Sequence, residues 1–221
     1  MPPLITGANR GIGLRLLQDY AAEGLAPIGT TRADDAPAVP GARWEVLDVT
    51  DAKQHRALAD RLNGQPIDLL VCNAGQYLDK HETLENGFPP AMWAQMFAVN
   101  VTGVFLTIQT LLPNLRRAER PRIVILSSAM ASTERAPGGS YIYRASKAAA
   151  LNLGRNLATD LRPVGIAVGI YHPGWVRTDM GGAAAEIDVA EASAGLRARF
   201  EALSLATTGC FETWDGRPHP Y

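Results

Sequence analysis

Tyr143-Arg144-Ala145-Ser146-Lys147 sets a phenol and an ammonium four residues apart. On a helix that spacing brings both to one face. A nearby cation favours tyrosinate, so the expectation is a phenol whose pKa falls from about 10 towards neutrality. Such a group can hand a proton to a developing alkoxide and take one back in reverse. Tyr141 stands close by but has Ala145, not lysine, four residues on. By itself the pair fits a plain helix-surface contact equally well. Ser128 closes the apolar run Arg122–Leu126, where its hydroxyl can meet a substrate oxygen or simply cap a loop; Ser127 and Ser132 are lesser alternatives. Asn100 is an amide inside Phe97-Ala98-Val99-Asn100-Val101 and needs a buried partner, in a core or in a site.

A second constellation lies near the N-terminus. Thr6-Gly7-Ala8-Asn9-Arg10-Gly11-Ile12-Gly13 falls between a short apolar run and a helical pattern. Gly7 suits a tight turn, Gly11 a close backbone approach to pyrophosphate, and Gly13 close packing of helix on sheet. The helix N-terminus then offers N–H donors and positive potential to phosphates. The spacing is GxxxGxG rather than the general GxGxxG. An acid at the end of the second strand would select NAD, whereas arginine there accommodates a 2′-phosphate. Here that strand ends Gly29-Thr30-Thr31-Arg32, and Arg10 comes from the glycine loop. Together they favour NADP(H), with NAD(H) possible; Asp34 and Asp35 follow Arg32 closely enough to complicate the choice.

These residues must be held by alternating strands and helices. Strands are expected near residues 4–6, 25–30, 43–47, 67–72, 122–127, 166–171 and 208–214. Helices are expected near 12–22, 51–62, 90–118, 141–161 and 189–203. The pattern implies right-handed βαβ units: an α/β chain with one Rossmann-type, doubly wound parallel sheet of about seven strands and helices on both faces. Nothing divides residues 1–221, so a single domain is expected. Arg32–Ala42, with two prolines and one glycine, predicts a loop in place of a crossover helix. Pro2 and Pro3 remove two ladder donors, predicting a very short first strand or a trimmed start.

The 221 residues carry 21 basic and 22 acidic side chains, leaving no electrostatic footprint for nucleic acid or anionic membrane. Only Lys53, Lys80 and Lys147 are lysines. No uninterrupted apolar run reaches the roughly 18–20 residues of a membrane span, and Met1-Pro2-Pro3-Leu4-Ile5 lacks the features of a signal peptide. A cytoplasmic protein is expected. Cys72 and Cys210 form no motif, and His55, His81 and His219 lack ligand spacing, so no metal is expected. Trp93 reads as helix packing, Trp175 and Met180 as a substrate mouth or loop packing, and Arg116, Arg117, Arg120 and Arg122 as complementing a helix C-terminus.

With Thr6–Gly13, Asp48-Val49, Asn73-Ala74-Gly75, Asn100, Ser128, Tyr143–Lys147 and Pro173-Gly174 with Thr178 in order, the chain resembles the short-chain dehydrogenase/reductase family along nearly its whole length. His172–Gly182 and Gly138–Lys147 are similar to its C-factor and carbonyl-reductase-like branch. The resemblance implies Tyr143 as acid/base, Lys147 on the nicotinamide ribose and tuning the tyrosine, Ser128 orienting the substrate carbonyl, and Asn100 supporting a relay to the lysine. It implies that Gly7, Asn9, Arg10, Gly11, Ile12, Gly13, Arg32, Asp48, Val49, Asn73, Ala74, Gly75, Pro173, Gly174, Val176 and Thr178 line the cofactor. It further implies a homodimer or homotetramer built on the Pro90–Ala118 and Tyr141–Leu161 helices, with Met92, Met96, Leu151 and Leu157 as apolar surface. His172 replaces the asparagine frequent before Pro-Gly. The reaction implied is hydride transfer between nicotinamide and a small carbonyl or alcohol; a dinucleotide-binding signalling protein with little turnover is the alternative, and a dehydratase or epimerase a weaker one.

Overall fold

In the computed structural model, which describes residues 1–32, 36–85 and 87–221, β1 (Pro3–Ile5) leads through the glycine loop into α1 (Gly11–Ala22). Then come β2 (Ile28–Thr31), β3 (Arg43–Val46), α2 (Ala52–Leu62) and β4 (Leu69–Cys72). Helices α3 (Pro90–Phe97) and α4 (Gly103–Leu115) are joined by a π turn, Ala98–Thr102. The chain closes with β5 (Arg122–Leu126), α5 (Tyr141–Leu161), β6 (Ala167–His172), α6 (Val189–Ala202) and β7 (Phe211–Thr213). Among the described residues these strands form one seven-stranded sheet in the order β3-β2-β1-β4-β5-β6-β7, with every neighbouring pair parallel.

Strands such as Leu-Leu-Val-Cys of β4 and Arg-Ile-Val-Ile-Leu of β5 are buried along their whole length. That requires helices on both faces. On one face Leu58, Leu62, Ile108, Leu111 and Ala158 bring α2, α4 and α5 onto the sheet. On the other, Leu16, Leu17, Leu196 and Phe200 bring α1 and α6. Asp51 and Asp188 start α2 and α6 by accepting two backbone N–H groups each, as N-cap carboxylates do. β1 has only three residues, with Pro3 opposite Leu69. Residues 36–42 cross from β2 to β3 without a helix; Ala33, Asp34 and Asp35 lie outside the described residues.

Two expectations change and a third gains a definite partner. Pro90–Leu115 forms a 26-residue helical rod that is long and apolar enough to cross a membrane by length and composition. Counting only unbroken apolar residues overlooked it, because Asn100 and Thr107 interrupt the run. Here Val104, Ile108, Leu111 and Leu115 of the rod are buried in the core. Met96 and Leu151 are buried too, at 0% and 5% exposure. They pack inward, leaving partly buried Met92 and Leu157 and exposed Phe105 as apolar surface on these helices. Finally, Arg120 and Arg122 do complement a helix end, but it is that of α6: Arg122 Nη1 donates to Phe200 O and to Glu201, and Arg120 to Glu201.

Candidate active site

The carboxyl ends of β4 and β5 meet the first turns of α5 at one edge of the sheet, where open α/β folds bind ligands. Ser128 follows β5 and opens a short 3-10 turn, its Oγ accepting from Met130 N at 3.1 Å. Its hydroxyl lies near the phenol of Tyr143, whose ring is buried among Met96, Ile142, Tyr77 and Phe88. Lys147 Nζ donates to the Leu126 carbonyl at 2.8 Å and stands 5.7 Å from the centroid of the Tyr143 ring. The three alternatives point elsewhere. Ser127 Oγ donates to Lys147 O, Ser132 Oγ to Tyr221 O, and Tyr141 is 39% exposed with its ring edge-on to Phe88.

The electrostatics correct the expected acidic phenol. Burial pushes Tyr143 up to about 12, opposed by the Ser128 hydroxyl and reinforced by Tyr77 and Asp79. Burial also brings the Lys147 ammonium down to about 8. Taking both groups out of water disfavours both charged forms, and that desolvation outweighs the attraction that their spacing suggested. Tyr143 is therefore a phenol carrying its proton at neutral pH.

Asn100 sits in the π turn, 1% exposed; such turns recur at functional sites because one residue leaves the α ladder. Its Oδ1 accepts from Gln76 N at 2.8 Å, and its Nδ2 donates to Gln76 O and Ser146 Oγ, both at 2.9 Å. Ser146 Oγ in turn donates to Tyr143 O at 2.8 Å. A Cβ added to Gly75 would stand 3.4 Å from Asn100 Oδ1 and 3.5 Å from Lys147 Nζ, so the two side chains reach one point from opposite elements. Sequence reasoning missed Gln76, Tyr77, Asp79 and Ser146. The available signal was a polar Gln76 and Asp79 straight after Asn73-Ala74-Gly75, and Ser146 inside the Tyr–Lys interval.

The glycine loop fits a dinucleotide phosphate. Arg10, at the N-cap of α1, makes no side-chain capping bond, so the first-turn N–H groups are left for a ligand. Gly11 has φ of +57°. Gly13 lies against Asn73, whose Nδ2 donates to Thr6 O and Gly7 O at 2.8 and 2.9 Å. Thr6 Oγ1 accepts from the Asn73 and Ala74 N–H groups, binding the β4 turn to the loop. Thr178 faces Gly11, and the turn Pro173-Gly174 carries buried Val176 beside Ile187. Asp48 Oδ1 accepts from Thr50 N and Oγ1 at the end of β3, with Val49 buried behind it. Asn9, Arg10 and Arg32 are exposed, and Arg10 pairs with Asp179 at 3.0 Å.

Other candidates serve the framework. Burial pushes the Cys72 thiol up to about 12 and raises that of Cys210, which donates to Tyr171 Oη. His55 Nε2 contacts Val49 O at 3.0 Å. His172 is lowered to about 4 by burial and by His219, and its Nδ1 has no partner. Trp93 stacks on Phe97, while Trp175 and Met180 are exposed after the Pro173-Gly174 turn.

Residues 3–188 match the short chain dehydrogenase family. The chain belongs to that family. It is 33% identical to C-signal of Myxococcus xanthus over 167 residues, which are 75% of this chain and 99% of the relative. It is 32% identical to 1-hydroxy-2-glutathionyl-2-methyl-3-butene dehydrogenase of Rhodococcus sp. strain AD45 in an alignment that covers 96% of each chain. The crystal structure of NADPH-bound carbonyl reductase from chicken fatty liver superposes with a TM-score of 0.89 at 29% identity, covering 100% of this chain and 98% of that one. These likenesses place the protein, as an oxidoreductase, in the carbonyl-reductase-like branch of the short-chain dehydrogenases.

Proposed function

We propose that the protein is an NADP(H)-preferring carbonyl reductase or alcohol dehydrogenase in which Tyr143 exchanges the proton. The main support is the convergence of Ser128, Tyr143 and Lys147 at one sheet edge, with Asn100 joined through Ser146 to the backbone carbonyl of Tyr143. A nicotinamide dinucleotide held by the glycine loop, Asp48, Asn73–Gly75 and the Pro173–Thr178 turn would supply or accept the hydride. Ser128 holds the substrate oxygen beside the phenol, Tyr143 gives it a proton from Oη, and Lys147 anchors the nicotinamide ribose. A phenol at about 12 is fully loaded at neutral pH. It therefore has the proton that carbonyl reduction consumes, and because that proton is a reactant, raising the pH shifts the balance towards alcohol oxidation.

Arg10 and Arg32 with Thr31 favour a 2′-phosphate over a 2′-hydroxyl, and the NADPH-bound chicken carbonyl reductase supports that choice. We read residues 1–221 as one dinucleotide-binding domain of a cytoplasmic homodimer or homotetramer. The likeness to C-signal supports a second reading, a dinucleotide-binding signalling protein with little turnover.

A panel of aldehydes and ketones with NADPH, run on wild type, Tyr143→Phe and Tyr141→Phe, tests this. Tyr143→Phe should bind cofactor normally and lose about 10²–10⁴-fold in turnover, whereas Tyr141→Phe should keep most of it. Near wild-type turnover by Tyr143→Phe overturns the assignment. NADPH binding without turnover across the panel favours signalling.

A further inference from the structure

Helix α5 is capped from a distant part of the chain. Ser140 occupies its N-cap position with φ of +46° and makes no side-chain capping bond; its Oγ instead lies 2.5 Å from the Tyr77 phenol oxygen. The N–H groups of Ile142 and Tyr143 donate to Asp79 Oδ2 at 2.7 and 3.3 Å. These are the second and third residues of the helix, which an N-cap side chain ordinarily serves. Asp79 is completely buried, and its Oδ1 has no partner. A buried carboxylate with an idle oxygen is costly, and the positive end of α5 is what offsets that cost. The same short segment touches two other parts of the site. Gln76 holds Asn100 through its backbone, and the Tyr77 ring stacks on the Tyr143 ring at 4.1 Å and 20°.

We propose that Asp79 is a positioning residue for the proton transfer: it clamps the first turn of α5 and fixes the Tyr143 phenol between Ser128 and the Tyr77 ring, with a negative charge close behind. The inference rests on Tyr143 being the acid/base. The groups facing that phenol are Ser128 after β5, Lys147 on α5, and Tyr77 and Asp79 after β4. Asp79 is the one carboxylate among them, and it pushes the phenol towards its protonated form.

Asp79→Asn keeps the shape and one acceptor but removes the charge. Tyrosinate absorbance is followed against pH in wild type and Asp79→Asn, each corrected by the same protein carrying Tyr143→Phe, so that only Tyr143 is read. The expected result is ionisation of Tyr143 about one pH unit lower in Asp79→Asn, with the pH profile of alcohol oxidation moving the same way. A cap of purely structural importance would lower the thermal midpoint and leave that titration where it is in wild type, which overturns the proposal. Should Asp79→Asn fail to fold, Asp79→Ser, which retains a capping hydroxyl, is read by the same titration and the same criterion. The two failures are distinct. An unmoved titration removes the role of Asp79 alone, while full turnover by Tyr143→Phe removes the acid/base assignment beneath it.

Discussion

Gly13→Ala should damage the protein far more than one methyl group suggests. A Cβ at this position would overlap Asn73 Nδ2 and stand 2.8 Å from Gly7 O and 3.1 Å from Ala8 Cα. Alanine in the first turn of α1 gains about 1 kcal/mol of helix propensity over glycine. Against this, the displaced Asn73 amide forfeits its bonds to Thr6 O and Gly7 O, about 1 kcal/mol each. Overpacking against backbone that cannot retreat adds about 1–3 kcal/mol. The net loss is about 2–4 kcal/mol. Gly11→Ala supplies the contrast. Its Cβ would meet only Thr178, with Cγ2 at an ordinary 3.5 Å and Cβ at 3.9 Å, so the cost is the left-handed backbone alone, about 1 kcal/mol. Urea unfolding of both variants gives the comparison, and NADPH titration should show Gly13→Ala weakened as its loop shifts. In an Asn73→Ala background the effect of Gly13→Ala should shrink by about 1 kcal/mol or more, since the main obstacle is gone. A Gly13→Ala protein within about 0.5 kcal/mol of wild type, or a costlier Gly11→Ala, would refute this account of the loop.

Arg32→Ala should weaken NADPH binding by about 1.5–3 kcal/mol and leave NADH binding unchanged; equal affinity of the wild type for both cofactors in fluorescence titrations would contradict this. Lys147, lowered to about 8, sheds its proton in the folded state while the unfolded chain holds one to about 10.4. The native state is therefore favoured increasingly as pH rises across that window. The stability of wild type relative to Lys147→Met should climb between about pH 8 and 10, and a flat or falling difference in urea midpoints would show the ammonium is not desolvated. Light scattering at micromolar concentration should report a dimer or tetramer, and a monomer alone would reject assembly through the α3–α4 and α5 helices.

Much of this site is legible in the sequence because its parts are local. The phenol–ammonium interval, the glycine loop and the Pro173-Gly174 turn each specify geometry within one helical turn or one βα connection. What escaped depends on contacts between distant segments. The cap of α5 comes from Asp79, 63 positions before Ile142, and the α5 sequence itself contains no trace of it. The π turn at Asn100 breaks no periodicity that a helical reading would notice. The Tyr143 pKa was misjudged for a related reason: the interval to Lys147 is visible in the sequence, but burial of both groups is a property of the packed sheet edge. Met96 and Leu151 likewise lie on helices whose apolar residues are numerous enough that pattern alone does not separate the inward face from the outward one.

The exposed pair of Arg10 and Asp179 ties the glycine loop to the segment after the Pro173-Gly174 turn. It means that Arg10 already has an anionic companion before any ligand arrives. A newcomer that would use this guanidinium must outbid a carboxylate, and a neutral ribose hydroxyl brings no charge with which to do so. A 2′-phosphate does, and it accepts the same kind of planar, forked hydrogen bonds. If Arg10 serves the 2′-phosphate, as proposed above, Asp179 is a competitor that lowers NADPH affinity alone and narrows the gap between the two cofactors, by little because the pair is exposed. On the same proposal the exchange frees Asp179 and the segment that carries it, so a filled phosphate end of the cleft would loosen a tether at its substrate end. Because both partners are solvent-exposed, this contest should soften as ionic strength rises, making cofactor discrimination a salt-dependent property of the enzyme.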